Sequence, residues 1–176
     1  MKVFVTGVAG QLGHDVVNEL TKRGHQAVGS DIAPTLESCA SYVPLDITDA
    51  AAVEQTIMQV QPDAIVHCAA WTAVDAAEDE DKKDKVKAIN VDGTKNIADA
   101  CKKIDAKMVY ISTDYVFNGK GDEPWKPDCK DYAPLNVYGQ TKLDGELAVS
   151  GTLDKYFIVR IAWVFGVNGK ISSRRC

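Results

Sequence analysis

The sequence predicts an α/β fold, a doubly wound parallel sheet of about six strands with helices on both faces. Three observations carry that prediction. Short β-branched runs alternate with segments of helical spacing along the whole chain, the signature of βαβ units. Two of the runs, at residues 64–68 and 108–112, are apolar at successive positions, as strands covered on both faces should be. A glycine-punctuated turn follows the first run and leads straight into an amphipathic segment.

The elements follow in order. Residues 3–6 form the first expected strand, and Leu12, Val16 and Leu20 mark one face of the first helix. Strands are expected at 26–30 and 42–45, then a helix with Val53, Ile57 and Val60 on its buried side. Asp49 or Thr48 is placed to cap that helix. After the strand at 64–68, one long helical stretch is expected from about 75 to 103, with Val86, Ile89, Ile97 and Ala100 inward. Its acidic beginning suits a solvated helix start. The strand at 108–112, a helix after Tyr138 carrying Leu143 and Leu147, and a strand at 156–164 complete the set. Residues 118–134 hold two glycines, three prolines and Trp125 without any period, as a binding loop or lid would. Trp125 is there either a packing anchor or part of a ligand wall.

Composition bounds the function. At 176 residues the chain is the size of one domain able to bury a core without disulfides or metal. Its charge of −5 argues against nucleic acid as the main partner, since phosphate binding needs a concentrated basic face. No apolar run reaches the roughly 18 residues that a membrane span needs, and the amino terminus has no secretion signal. The five cysteines (Cys39, Cys68, Cys101, Cys129, Cys176) form no C-x-x-C pair and read as reduced thiols of a cytoplasmic protein.

The turn after the first strand is Gly7-Val8-Ala9-Gly10-Gln11-Leu12-Gly13. A strand turning tightly into a helix leaves the first helical N–H groups free, and the helix dipole favours an anion there. Glycine lets a pyrophosphate approach the backbone without meeting a Cβ. Together with the alternating elements this makes the expected fold Rossmann-type, with Gly7, Gly10, Gln11 and Leu12 as dinucleotide contacts; a structural turn is the plainer alternative. Asp31, 18 residues past Gly13, can accept from ribose hydroxyls and would repel a 2′-phosphate, which favours NADH over NADPH. It can equally start the turn before Pro34. Asp46, with Ile47 beside it, ends the third strand within reach of an adenine edge.

Tyr138 and Lys142 stand four apart, on one face of a helix. A nearby ammonium stabilises a phenolate, so such a tyrosine can hand a proton to a carbonyl oxygen as hydride reaches the carbon. The spacing is common by chance, and a solvent-facing pair is the plain reading. Ser112-Thr113-Asp114 changes the balance, because it ends a strand on the carboxyl edge where open α/β sheets bind ligands. His67, on a buried strand, reads as a hydrogen-bonded core histidine, and Asn90 as a residue packing within its helix.

These residues, together with Cys68-Ala69-Ala70-Trp71-Thr72-Ala73-Val74-Asp75 and Glu78, Asn90-Val91-Asp92-Gly93-Thr94, Ser112-Thr113-Asp114-Tyr115-Val116-Phe117, Pro134 to Lys142 and Arg160 to Gly166, resemble the extended short-chain dehydrogenase/reductase superfamily. Within it they resemble the dTDP-4-dehydrorhamnose reductase family. The resemblance implies NAD(P)H-dependent reduction of the 4-keto group of dTDP-6-deoxy-L-lyxo-4-hexulose to dTDP-L-rhamnose. It implies Tyr138 as proton donor, Lys142 tuning it and holding the nicotinamide ribose, and Thr113 polarising the keto oxygen. Ala69, Ala70 and Thr72 would line the cofactor groove, while Asp114, Tyr115 and Trp163 would face the nucleotide-sugar substrate. For Trp163 a core strand position is the alternative.

The resemblance stops near Asn168, where family members continue into a long helix and a smaller substrate domain. The expected organisation is therefore a dinucleotide-binding domain at 1–169 with an atypical tail at 170–176, and weak or no activity from these residues alone. The last strand would then leave apolar surface and an open edge that favour self-association into homo-oligomers. Two other functions fit a similar pattern: a non-catalytic nucleotide-binding subunit, like the regulatory subunit of methionine adenosyltransferase, and a nucleotide-sugar epimerase. The intact Thr113, Tyr138 and Lys142 favour an enzyme over the former, and the Val-Asp-x-Ala-Glu string at Val74–Glu78 disfavours the latter.

Overall fold

The computed structural model describes residues 1–166 and 168. The tail expected at 170–176, and Cys176 with it, lies outside the described residues. Six strands, β1 (Lys2–Thr6), β2 (Gln26–Asp31), β3 (Tyr42–Pro44), β4 (Ala64–His67), β5 (Lys107–Thr113) and β6 (Tyr156–Ile161), form one sheet in the order β3-β2-β1-β4-β5-β6. Every adjacent pair is parallel. The order reverses between β1 and β4, and that switch point opens a crevice at the carboxyl ends of the strands. The doubly wound parallel sheet expected from the sequence is the fold.

Strand alternation assigns the two faces. Phe4, Ile65, Met108 and Tyr110 point to one side, where α2 (Ala50–Val60), α4 (Thr94–Lys103) and α5 (Val137–Thr152) pack with Val53, Ile57, Ile97, Cys101 and Val149 into the larger core. Val3 and Val5 point to the other, against α1 (Gln11–Lys22) through Val17, with Val16 and Leu20 beside it. On that second face, register places Phe157 beside Val109 and Val159 beside Ile111. Phe157 is 69% exposed and Val159 40%, so the outer part of this face carries apolar surface. Among the described residues no helix is long and apolar enough to cross a membrane.

Four expectations need correction. The stretch at 75–103 is not one helix: a 3₁₀ turn (Asp75–Glu78) precedes α3 (Lys83–Lys87), and a π-turn (Ala88–Gly93) separates α3 from α4. The wide turn carries Asn90, whose side chain bonds outward to two other segments rather than within its helix. The last strand ends at Ile161 rather than 164, because its partner β5 ends at Thr113, opposite Ile161, and turns away into a 3₁₀ turn (Asp114–Val116). Leu147 is exposed, while Gly145, Glu146 and Val149 take the buried side of α5.

Candidate active site

The glycine turn is shaped by backbone proximity. Gly7 has φ +74°, and a Cβ there would stand 2.6 Å from the Ala69 nitrogen. A Cβ on Gly13 would stand 2.2 Å from the Gly7 carbonyl oxygen, so α1 leaves β1 as tightly as the chain allows. Gly10 caps α1 without any side-chain bond, and no acidic residue occupies the first turn. The first-turn N–H groups, at Gln11 and Leu12, are thus given no capping side chain.

Asp31, at the end of β2, accepts from Ala9 N at 3.0 Å and from Ile32 N at 2.8 Å. Its carboxylate thus ties the glycine turn to the end of β2, a contact between segments 22 residues apart that the sequence does not reveal. Next to it lies a cleft of about 300 Å³ lined by Ile32, Pro44, Leu45, Asp46, Asp49 and Ala52. Asp46 edges this cleft and accepts from the Thr48 N–H and hydroxyl at 2.9 and 2.7 Å, while Asp49 caps α2 through Ala52 N. Ile47 sits differently. Its side chain is in the core against the bare α-carbon of Gly93, and its carbonyl accepts from Asn96, so the structure does not turn it to the cleft.

Beyond β4 the chain crosses the crevice. Ala69 N donates to Thr6 Oγ1 at 3.2 Å; Ala69 and Ala70 are half-buried and Thr72 is exposed. Asn90 fixes this crossing. It accepts from Trp71 N at 2.8 Å and donates to Trp71 O and to Thr141 Oγ1, and Thr141 in turn donates to Tyr138 O. Nothing near Asn90 in the chain marks this role, since both partners are distant in sequence. Below it, His67 is a core residue as expected: its ring lies between Thr6 Oγ1 (2.8 Å) and Thr94 Oγ1 (3.2 Å) and stacks on Tyr110. Burial, with Lys142 nearby, holds it neutral, its pKa lowered to about 3.

Thr113 ends β5; its hydroxyl donates to Asp114 Oδ1 at 3.1 Å and accepts from Tyr115 N. Tyr138, in the first turn of α5, meets the Thr113 side chain and packs edge-on against Tyr115 at 5.9 Å. The start of α5 is held by two acceptors, Asn136 Oδ1 for Gly139 N and Glu78 Oε1 for Val137 N, both at 2.7 Å. A Cβ on Gly139 would stand 2.4 Å from Tyr115 O, so this glycine sets how closely α5 approaches the 3₁₀ turn after β5. Lys142 is 3% exposed, donates to Ile111 O at 2.7 Å and lies 4.2 Å above the Tyr110 ring.

The electrostatics depart from expectation. Burial raises the Tyr138 phenol above its ordinary value, with Thr113 opposing and Asp114 and Tyr115 adding. The ammonium expected to lower it points at β5 and Tyr110 instead. Burial brings Lys142 itself down to about 7, against the pull of Glu146. A protonated phenol is the form a proton donor needs. Burial also pushes the Cys68 thiol up to about 12, which leaves it unreactive.

The remaining sites divide. Trp125 stacks on Phe117 at 4.5 Å and anchors its loop while lining a hollow of about 470 Å³. Trp163 lies past the end of β6 and is 65% exposed, which removes the core strand alternative for it. Asp114 is exposed beside Thr113, and Tyr115 half-buried beside Tyr138.

Residues 1–173 match the protein-family model described as RmlD substrate binding domain. The chain is 40% identical over 167 residues to a dTDP-4-dehydrorhamnose reductase of Streptomyces griseus, covering 94% of this chain and 51% of that protein. Among solved structures it resembles the Bacillus anthracis dTDP-4-dehydrorhamnose reductase in complex with NADP, at 39% identity and TM-score 0.85, covering 96% of this chain and 56% of that one. It also resembles the Bordetella bronchiseptica enzyme WbmH in complex with NAD+, at 29% identity and TM-score 0.73, covering 92% and 55%. The chain spans about half the length of the curated relatives it matches.

Proposed function

The chain belongs to the family described as RmlD substrate binding domain, and from that premise we propose that it is the nicotinamide-binding, proton-donating half of a dTDP-4-dehydrorhamnose reductase. In this reading residues 1–169 form the dinucleotide-binding domain, and the reaction converts dTDP-6-deoxy-L-lyxo-4-hexulose to dTDP-L-rhamnose. The observation that carries it is the meeting of Thr113 and Tyr138 at the carboxyl end of β5, with Lys142 one turn further along α5.

The chain fits a dinucleotide on its own geometry. A pyrophosphate belongs where side chains are excluded and helical N–H groups are free, at Gly7, Gly10, Gln11 and Leu12. Asp31 takes the adenosine ribose, Asp46 edges the adenine cleft, Ile47 contributes backbone only, and Ala69, Ala70 and Thr72 border the path to the nicotinamide. When bound, the reduced nicotinamide supplies the hydride for the keto carbon. Thr113 Oγ1 then polarises the keto oxygen and Tyr138, kept protonated by its burial, donates the proton to it. Lys142, which donates to Ile111 O, would hold the nicotinamide ribose, and its charge would stabilise the phenolate left behind. Asp114, Tyr115 and Trp163 face the sugar. The thiols of Cys39, Cys68, Cys101 and Cys129 are free, which suits a reducing cytoplasm.

Remote contacts to a nucleotide sugar normally contribute to turnover, so these residues alone should turn over slowly. Cofactor binding is the accessible test. Fluorescence titration should give one saturable site for NADH, with NADPH weaker by roughly tenfold because Asp31 faces the 2′-phosphate. Equal or tighter NADPH binding contradicts the role of Asp31, and no saturable binding of either contradicts the reading.

A further inference from the structure

One buried ionic group lies outside the steps above. Glu146, 2% exposed, sits one turn beyond Lys142 on α5. Arg160 of β6 holds it with two bonds, Nε to Oε1 at 2.8 Å and Nη2 to Oε2 at 2.7 Å. The same guanidinium donates to Tyr132 Oη at 2.9 Å and lies 5.2 Å from the rings of both Phe117 and Tyr132. Phe117 in turn stacks on Trp125 and Tyr132. A planar guanidinium suits this combination of paired bonds and stacking, which an ammonium could not provide. Contacts run from Glu146, one helical turn beyond the site lysine, through Arg160 to Tyr132 and Trp125 of the segment 118–134.

We propose that Glu146 and Arg160 form a positioning pair, which sets the charge state of Lys142 and holds the 118–134 segment in place through Tyr132 and Phe117. The proposal rests on Lys142 being the site lysine of the function given above. Three positions carry formal charge here: Lys142, Glu146 and Arg160. Lys142 is faced by His67 of β4 and Cys68 just after it, by Tyr110 from β5, and by Tyr138 and Glu146 one turn either side of it on its own helix; Arg160 acts on it through Glu146. His67, Cys68 and both tyrosines are neutral near pH 7, so the Glu146 carboxylate is the buried opposite charge that favours the ammonium. Arg160 divides that carboxylate's field between two cations.

The pair therefore predicts shifts of opposite sign. Glu146→Gln keeps the shape and removes the negative charge, so the Lys142 titration midpoint should fall by roughly one unit. Arg160→Met leaves the whole carboxylate to Lys142, and the midpoint should rise by about as much. The double variant removes both charges, which a fold tolerates better than stranding one. Its midpoint should return to within about half a unit of the parent. Tryptic cleavage after Lys120 and Lys130 should quicken about tenfold in Arg160→Met and in the double variant, since Tyr132 and Phe117 lose their support.

Both readouts, side-chain NMR of isotope-labelled lysine and timed proteolysis, use the chain without cofactor or substrate. A failure of NADH binding would thus count against the proposed function and leave this test intact. Thermal melts check folding; if Arg160→Met does not fold, the fall in Glu146→Gln and its restoration in the double variant decide. Coincident Lys142 midpoints in the parent and every folded variant would overturn the proposal, even with faster cleavage, because a purely structural pair moves the loop alone. Unchanged cleavage with shifted midpoints would overturn its second half.

Discussion

A Gly13→Ala variant is expected to lose at least a hundredfold in nicotinamide-cofactor affinity and to melt roughly 3–10 °C lower. The added Cβ would stand 2.2 Å from the Gly7 carbonyl oxygen and 2.9 Å from the Val8 α-carbon, both backbone atoms. No side-chain rotation relieves such a contact, so α1 must move away from β1. Overpacking of this kind costs about 1–3 kcal/mol, which sets the melting shift. The larger effect falls on binding, because the free N–H groups at the start of α1 lose their alignment with the pyrophosphate. Calorimetry and NADH titration on the same preparation separate the two effects. Near-parental affinity with a lowered melting temperature would place the cofactor elsewhere.

Tyr138→Phe should reduce turnover of the keto sugar by about 10²–10⁴, or roughly 3–5 kcal/mol in the barrier, while changing NADH affinity by less than about threefold. The substitution removes one oxygen and keeps the ring packed against Tyr115. The phenol is held protonated by burial and beside Thr113, so its loss takes away the proton donor and leaves the glycine turn and Asp31 untouched. Turnover within a factor of about three of the parent would remove Tyr138 from the mechanism. A fall in affinity equal to the fall in rate would make it a binding residue instead.

The parts of this site that depend on local sequence were legible before the structure. The strand alternation and the glycine turn gave the sheet, and a helix cap at Thr48 or Asp49, which the structure resolves to Asp49, was recognisable because a cap reaches only three residues ahead. His67 was identifiable as core because its strand is apolar on both sides. What stayed hidden depends on contacts between distant segments. Asn90 bonds to residues 19 and 51 positions away, so nothing near it in the chain reveals that it joins the crossing after β4 to α5. The π-turn that carries it also breaks the expected long helix, because local periodicity cannot register one widened turn. The aim of Lys142 at Ile111 O, the tie from Asp31 to Ala9 and the pairing of Glu146 with Arg160 are likewise tertiary. Even the end of β6 was set by its neighbour, since pairing stops where β5 turns off after Thr113.

Delivery of hydride and proton to one carbonyl in this crevice is read out by isotope transfer. The chain, in molar excess over dTDP-6-deoxy-L-lyxo-4-hexulose and saturated with NADH carrying deuterium at the reactive C4 position, should place deuterium on C4 of the sugar. Transfer should be slow and should drop by at least about a hundredfold with Tyr138→Phe. Excess protein makes a single turnover visible even where steady-state activity is weak. Saturable NADH binding with no deuterium on the sugar above the protein-free control would contradict the account.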